Sequence, residues 1–165
     1  MRTVSDDLRC TSEACPDERV ILCVELMPAD HLLLWSFREL VTARMEGRAV
    51  RQALGGLKGA PDRSVTLLLR LLIAEVVSVA KRGLVFGLPH CQRLLPDELT
   101  LLAAIDRLQV GDEARACVLL QKLCANGPIN GLREAAGHLA KALRERGNLV
   151  RVMHLLPPHM LPSIH

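Results

Sequence analysis

An all-α fold is what this chain predicts: a compact bundle of about five helices around a buried central helix at about 62–82. Three observations predict it. The stretch Val65 to Ala80 reads VTLLLRLLIAEVVSVA, with Arg70 and Glu75 as its charges. At 1.5 Å per residue it spans about 24 Å, short of a bilayer crossing, so a helix this apolar needs other helices around it. Half of the residues are hydrophobic, yet the aromatics are only Trp35, Phe37 and Phe86. A core of Leu, Val and Ala suits helix against helix better than a β-sandwich. Finally, apolar residues recur three and four apart between Gly and Pro breaks.

The 165 residues suit one domain, and a chain of this size buries roughly 70% of its unfolded surface. Residues 1–18 are polar and are expected to be poorly ordered; residues 20–147 form the helical domain, and 148–165 a proline-rich apolar tail. Val20 to Met27 (VILCVELM) reads as a short strand or an extended segment laid on the core. Pro28-Ala29-Asp30 then signals a helix start, with Asp30 near its N-cap. That helix, about 30–46, repeats Leu33, Phe37, Leu40, Val41 and Met45 on one face and stops at Gly47. A shorter helix, about 48–57, carries Val50, Leu54 and Leu57 before Gly55-Gly56 and Lys58-Gly59 break it.

Pro61-Asp62-Arg63-Ser64 opens the apolar helix, and Lys81-Arg82 followed by Gly83 suits its negative end. Leu84 to Leu95 reads as a loop. Pro96, with Asp97 and Glu98 behind it, opens a helix to about Gln109 that buries Leu101, Leu102, Ile105 and Leu108. Gly111-Asp112 starts the next, with Cys117, Leu120, Leu123 and Cys124 inward, and Asn126-Gly127-Pro128 ends it. The last helix, about 130–146, uses Leu132, Ala135, Ala136, Leu139 and Leu143 and stops at Gly147-Asn148. The tail LVRVMHLLPPHMLPSIH reads as extended, packed on the body or meeting a partner.

The net charge is +3 with neutral histidines, and no segment has the basic density of a nucleic-acid arm or a polybasic membrane anchor. The N-terminal stretch has no apolar signal region, so the cytoplasm is the expected location. The six cysteines read as reduced. Cys117 and Cys124 lie seven apart on one helix, about 10 Å along its axis, too far to bridge.

Candidate sites are few. His90-Cys91, in the turn before the helix opened by Pro96, offers a thiol with Arg93 two residues on, a setting for a reactive or metal-ligating cysteine. Asp97 and Glu98 oppose that activation, and a half-buried turn cysteine without chemistry is the preferred reading. A zinc site needs ligands paired at short spacing, and neither Cys10-x4-Cys15 nor His154 and His159 about Pro157-Pro158 supplies one. Arg70 and Glu75, five apart, sit about 140° apart around the helix and do not form the usual helix pair. Each needs a partner elsewhere, Glu39 or Asp106 for Arg70, or must reach solvent. A structural ion pair or a snorkelling arginine is preferred there over a ligand site. Gly55 to Gly59 lacks the strand and the Lys-Ser/Thr pair of a phosphate loop and reads as a hinge. Helices 48–57 and 62–82 have the order of a helix-turn-helix, but the second is far too apolar to lie in a DNA groove. Arg133, Lys141, Arg144 and Arg146 spread over the solvent side of the last helix rather than forming a phosphate clamp. No catalytic set can be assigned, and no cofactor is expected.

Over residues 32–146 the order of features resembles a small bacterial family of uncharacterised helical proteins, a domain of unknown function. The resemblance lies in the apolar start Leu32–Arg38, the leucine-rich helix, the turn Pro89-x-Cys91-x-Arg93, Asp97-Glu98 and two Ala/Leu-rich helices. That family's turn often carries more than one cysteine, whereas this one has Cys91 alone, which weakens a metal reading. The resemblance implies a five- or six-helix domain and no activity. The functional expectation is therefore a non-catalytic interaction or regulatory module, acting on a protein partner or as a homodimer. Its structural or contact residues would be Arg70, Glu75, Arg93, Leu155, Leu156 and Met160. The alternative is a metal- or redox-responsive protein using His90 and Cys91.

Overall fold

The computed structural model describes residues 20–47, 63–79, 83–124 and 127–156. Residues 1–18, the short helix at 48–57, the 55–59 hinge, Lys81-Arg82 and the tail from Pro157 with Met160 lie outside them. Among the described residues are five helices: α1 (Pro28–Met45), α2 (Arg63–Val79), α3 (Pro96–Gln109), α4 (Glu113–Leu123) and α5 (Asn130–Glu145). Helix α3 packs along α4 and α5, α2 lies along α5, and α1 touches α2 and α3. This is the all-α bundle that the hydropathy pattern predicts.

The helix boundaries follow the punctuation. Pro28 and Pro96 occupy first-turn positions, where a missing N–H costs nothing and the fixed φ suits a helix. Asp112 caps α4 by accepting the Arg115 N–H at 3.2 Å. Gly147, at φ +73, ends α5 in the left-handed conformation, and the Asn148 N–H returns to the Leu143 carbonyl at 2.9 Å. Val20–Met27 is neither a strand nor simply extended. It makes one antiparallel bridge, Leu22 to Arg93, and then a 3-10 turn at Cys23–Glu25.

Burial is distributed differently from the expected pattern. The helix enclosed on nearly every face is α3, where only Pro96, Arg107 and Leu108 reach solvent. Helix α2 buries Val65, Leu69, Leu72, Ile73 and Val76 but turns Leu67, Leu71 and Val77 outward. Hydropathy records how apolar a helix is, and not how many neighbours surround it. On α4 the inward residues are Ala116, Leu119, Leu120, Leu123 and Cys124, while Cys117 is half-buried. Small Ala116 takes the place expected of the thiol because α4 lies close against α3. Met45, expected on the buried face of α1, is exposed, whereas Arg38 is buried there.

The tail packs on the body as far as Leu156. Val150, Val152, Leu155 and Leu156 are buried, and polar side chains of α1 and α3 hold the backbone between Asn148 and Met153. Gln109 accepts the Val150 N–H at 2.8 Å and donates to the Asn148 carbonyl at 2.9 Å. Asp106 Oδ2 accepts the Val152 and Met153 N–H groups, both at 3.1 Å. Asp30, in the first turn of α1, accepts the Arg151 N–H at 3.1 Å and so anchors the tail. An extended chain has no internal ladder, and these bonds satisfy backbone groups that burial would otherwise orphan.

Asp30 is fully buried and its Oδ2 has no hydrogen-bond partner. Burial pushes its carboxyl above the usual range, against the opposing pull of the Arg151 and Met27 N–H groups. The folded state therefore holds this proton more tightly than the unfolded chain, and stability falls as pH rises from the ordinary carboxylate pKa through the raised one. Asp30→Asn removes that term while keeping an acceptor for Arg151. Urea midpoints at acidic and neutral pH should show the variant gaining on the wild type as pH rises; a constant gap would contradict this account.

Candidate functional site

Arg38 lies on the apolar stripe of α1, one residue after Phe37 and four after Leu34, so its side chain enters the core instead of solvent. It meets Glu98, in the first turn of α3, in a two-pronged ion pair. Nε donates to Oε1 and Nη2 to Oε2, each at 2.7 Å, with the two side chains 2% and 1% exposed. Nη1 reaches the Cys91 carbonyl at 2.6 Å and Nη2 the Arg93 carbonyl at 2.7 Å. Nη1 also lies 3.7 Å from Cys23 Sγ. All five guanidinium N–H groups thereby find acceptors. Glu98 is equally filled: besides Arg38 it accepts the Gly87 and Leu95 N–H groups, both at 2.9 Å. Burial alone would lower the Arg38 pKa, but the hydrogen bonds and charge of Glu98 outweigh it, and the net shift is upward. The hydrogen bonding of the pair is complete.

This pair organises the non-helical part of the molecule. Loop 83–95 wraps over it through Gly87, Cys91, Arg93 and Leu95, and Asp97 adds a bond from the Val85 N–H at 2.9 Å. Segment 20–25 pairs with the far side of the loop: Cys23 N–H donates to the Gln92 carbonyl at 2.7 Å and Leu94 N–H to the Ile21 carbonyl at 2.9 Å. Gly87 lies flat against the guanidinium, where a Cβ would come within 2.9 Å of Nη2.

The candidates of the turn meet here, in part. Cys91 is half-buried and His90 exposed. The Cys91 thiol donates to the Arg93 carbonyl at 3.6 Å. Arg93 takes part through its backbone, as the bridge partner of Leu22 and an acceptor for Arg38. Among the described residues no group of three or more His, Cys, Asp or Glu gathers at metal-binding range. What spacing did not disclose is Cys23, whose thiol donates to the Cys91 carbonyl at 3.6 Å. Burial raises the Cys23 pKa, although Arg38 pulls the other way. The sequence signal that existed was Arg38 itself, a charge on the inward stripe of α1 that demands a partner.

The remaining candidates lie elsewhere. Arg70 is exposed on the outer side of α2, and Asp106, one of its expected partners, pairs instead with Arg107 at 2.8 Å. Glu75 is half-buried with its carboxyl over Gly131, so close that a Cβ there would meet Oε2 at 2.5 Å. A carboxylate at the start of α5 complements the positive end of that helix. Leu155 and Leu156 are core residues. Of the basic residues on α5, Arg133 faces Glu113 at 3.5 Å, Lys141 faces Glu145 at 4.0 Å and Arg144 holds the Gln109 carbonyl at 2.9 Å. Arg146 donates to Ser64 Oγ at 2.7 Å.

No protein-family model matches the chain, and none of the curated proteins or solved structures compared with it matches either.

Removing one partner of a buried ion pair costs about 3–5 kcal/mol because a bare charge is left behind. Arg38→Met and Glu98→Leu should each lose that much in urea unfolding. An isolated pair replaced on both sides would regain its stability, but here the double variant also strips partners from the Cys91, Arg93, Gly87 and Leu95 backbone groups. R38M/E98L should therefore remain well below the wild type, and full recovery would show that the pair does not hold the loop. Gly87→Ala, crowding a guanidinium that cannot swing away, should cost about 1–3 kcal/mol in the same assay.

Proposed function

We propose that this chain is a non-catalytic, cytoplasmic protein-interaction module, with no role in binding nucleic acid. The observation that carries the reading is an apolar face on segment 20–24. Its residues alternate: Ile21 and Cys23 turn inward, while Val20, Leu22 and Val24 turn outward at 44%, 41% and 84% exposure. Met27 extends the exposed set along the chain, and the paired loop adds Val85 and Leu88. Isolated surface leucines are ordinary, but apolar side chains concentrated on one short segment suit a contact surface. The mount beneath is rigid, because the segment is paired to a loop locked on Arg38 and Glu98. Such preorganisation lowers the ordering cost of association.

The outward side chains of 20–24 carry no charge, so the face asks for no charge complement and fits a second copy of itself. Self-pairing of one patch is also the simplest closed assembly. The tail up to Leu156 does not serve this role, since Val150, Val152, Leu155 and Leu156 are already spent on the core. No helix among the described residues is long and apolar enough to cross a membrane, which accords with a contact to protein rather than a membrane span.

Sedimentation of the full chain over a range of concentrations tests the reading. The wild type should form a dimer that Leu22→Glu and Val24→Glu each dissociate, with unchanged helix content by circular dichroism. A wild type that is monomeric throughout, or a dimer indifferent to both changes, would overturn it.

A further inference from the structure

The site holds two thiols that the interaction reading leaves unused. Cys23 and Cys91 are brought together by backbone pairing rather than by sequence spacing. Cys23 bonds to the residue after Cys91 through its N–H and to Cys91 itself through its thiol. Directly opposed residues of an antiparallel pair lie about 5 Å apart at Cα, and one step along adds about 3.4 Å of rise. Cys91 is the diagonal neighbour, about 6 Å away at Cα by this pairing, and the Cys23 thiol reaches its carbonyl oxygen at 3.6 Å. Cys91 lies in the turn beyond the single bridge pair, so a bond between the sulfurs needs its side chain and the turn to shift toward Cys23. Both thiols rest on carbonyls that Arg38 also holds: Cys23 Sγ on that of Cys91, and Cys91 Sγ on that of Arg93. They differ in access, Cys23 being buried and Cys91 half-exposed.

We propose that Cys23 and Cys91 are a redox pair that a hydroperoxide converts to a disulfide. The peroxide reaches Cys91 first. The Cys91 sulfur attacks the O–O bond, takes one oxygen as a sulfenic acid, and the other oxygen leaves as water or an alcohol with the thiol proton. A turn about the Cys91 Cα–Cβ bond, with a local shift of the turn that carries it, then presents the sulfenic sulfur to Cys23. The Cys23 sulfur displaces the hydroxyl, which leaves as water with the Cys23 proton, and two electrons have passed from the thiols to the peroxide. Arg38 is a positioning residue here: its Nη1, 3.7 Å from Cys23 Sγ, supports negative charge as that sulfur attacks. The crosslink would fasten segment 20–24 covalently to the loop. This inference is independent of whether the outward face of that segment binds a partner.

The full-length protein is exposed to hydrogen peroxide, its remaining thiols are blocked with N-ethylmaleimide, and it is digested without reductant for mass spectrometry. The expected product joins the Cys23 and Cys91 peptides, lighter than their sum by two hydrogens and split by a thiol reductant. Cys91→Ser, checked for native helix content by circular dichroism, should lose the product and leave Cys23 as a thiol. Cys117→Ser should keep it. Cys91 carried to a sulfinic acid without a crosslink, Cys91 joined to Cys10 or Cys15, or both thiols left unchanged would each overturn the proposal.

Discussion

The ion pair between Arg38 and Glu98 is the constraint on which the rest of this structure depends. Two charges removed from water are expensive, and mutual attraction alone repays that cost poorly. What makes the pair tolerable is completeness. The guanidinium fills its remaining donors with two loop carbonyls and the Cys23 sulfur, and the carboxylate fills its remaining lone pairs with two loop N–H groups. Neither lysine nor an apolar pair has that geometry, because only the planar fork of arginine addresses a carboxylate and two carbonyls at once. The loop in turn has no secondary structure of its own to satisfy these groups. Helix packing and loop conformation are therefore decided at one place.

The same device recurs at the other end of α3. Asp106 and Gln109 do for residues 148–153 what Glu98 does for the loop: a buried polar side chain on a helix supplies the partner that an irregular backbone lacks. Glu98, Asp106 and Gln109 are eight and three residues apart, which keeps them within about 80° around the helix. The helix thus carries a polar seam inside an otherwise aliphatic surface. With so few aromatic residues to fill volume, the core relies on Leu and Ala packing between helices, and polar seams attach everything that is not helical.

Much of the bundle was legible in the amino-acid order. Pro28 and Pro96 set helix starts, Gly47 and Gly147 set ends, and the apolar spacing of Leu132 to Leu143 marks the buried face of α5. The identity of the most enclosed helix was not legible, because Val65–Val79 is more apolar than α3 while facing solvent along Leu67 and Leu71. The burial of Glu98 was not legible either, because a carboxylate in the first turn of a helix is ordinary and nothing local marks it as the partner of Arg38. The site was half legible. Cys91 and Arg93 stand out in their turn, but Cys23 lies far away in sequence, and only the pairing of two extended segments brings it beside Cys91. Local pattern reports what a residue's own helix or strand does with it, and such pairing between distant segments is set by the tertiary fold.

The anchor at Asp30 also orders events in time. Its acceptor oxygen is occupied by the N–H of Arg151, 121 residues further along, so the contact closes nearly the whole described chain into one loop. Closing so long a loop carries a chain-entropy cost that is repaid only once its ends are held in place. Until then the Asp30 carboxylate keeps its water, and α1 can pack on α2 and α3 without it. The Asp30–Arg151 contact should therefore close after the bonds from Gln109 and Asp106, which span far shorter loops. Amide exchange at Val150, Val152 and Met153 would report opening of that segment separately from global unfolding.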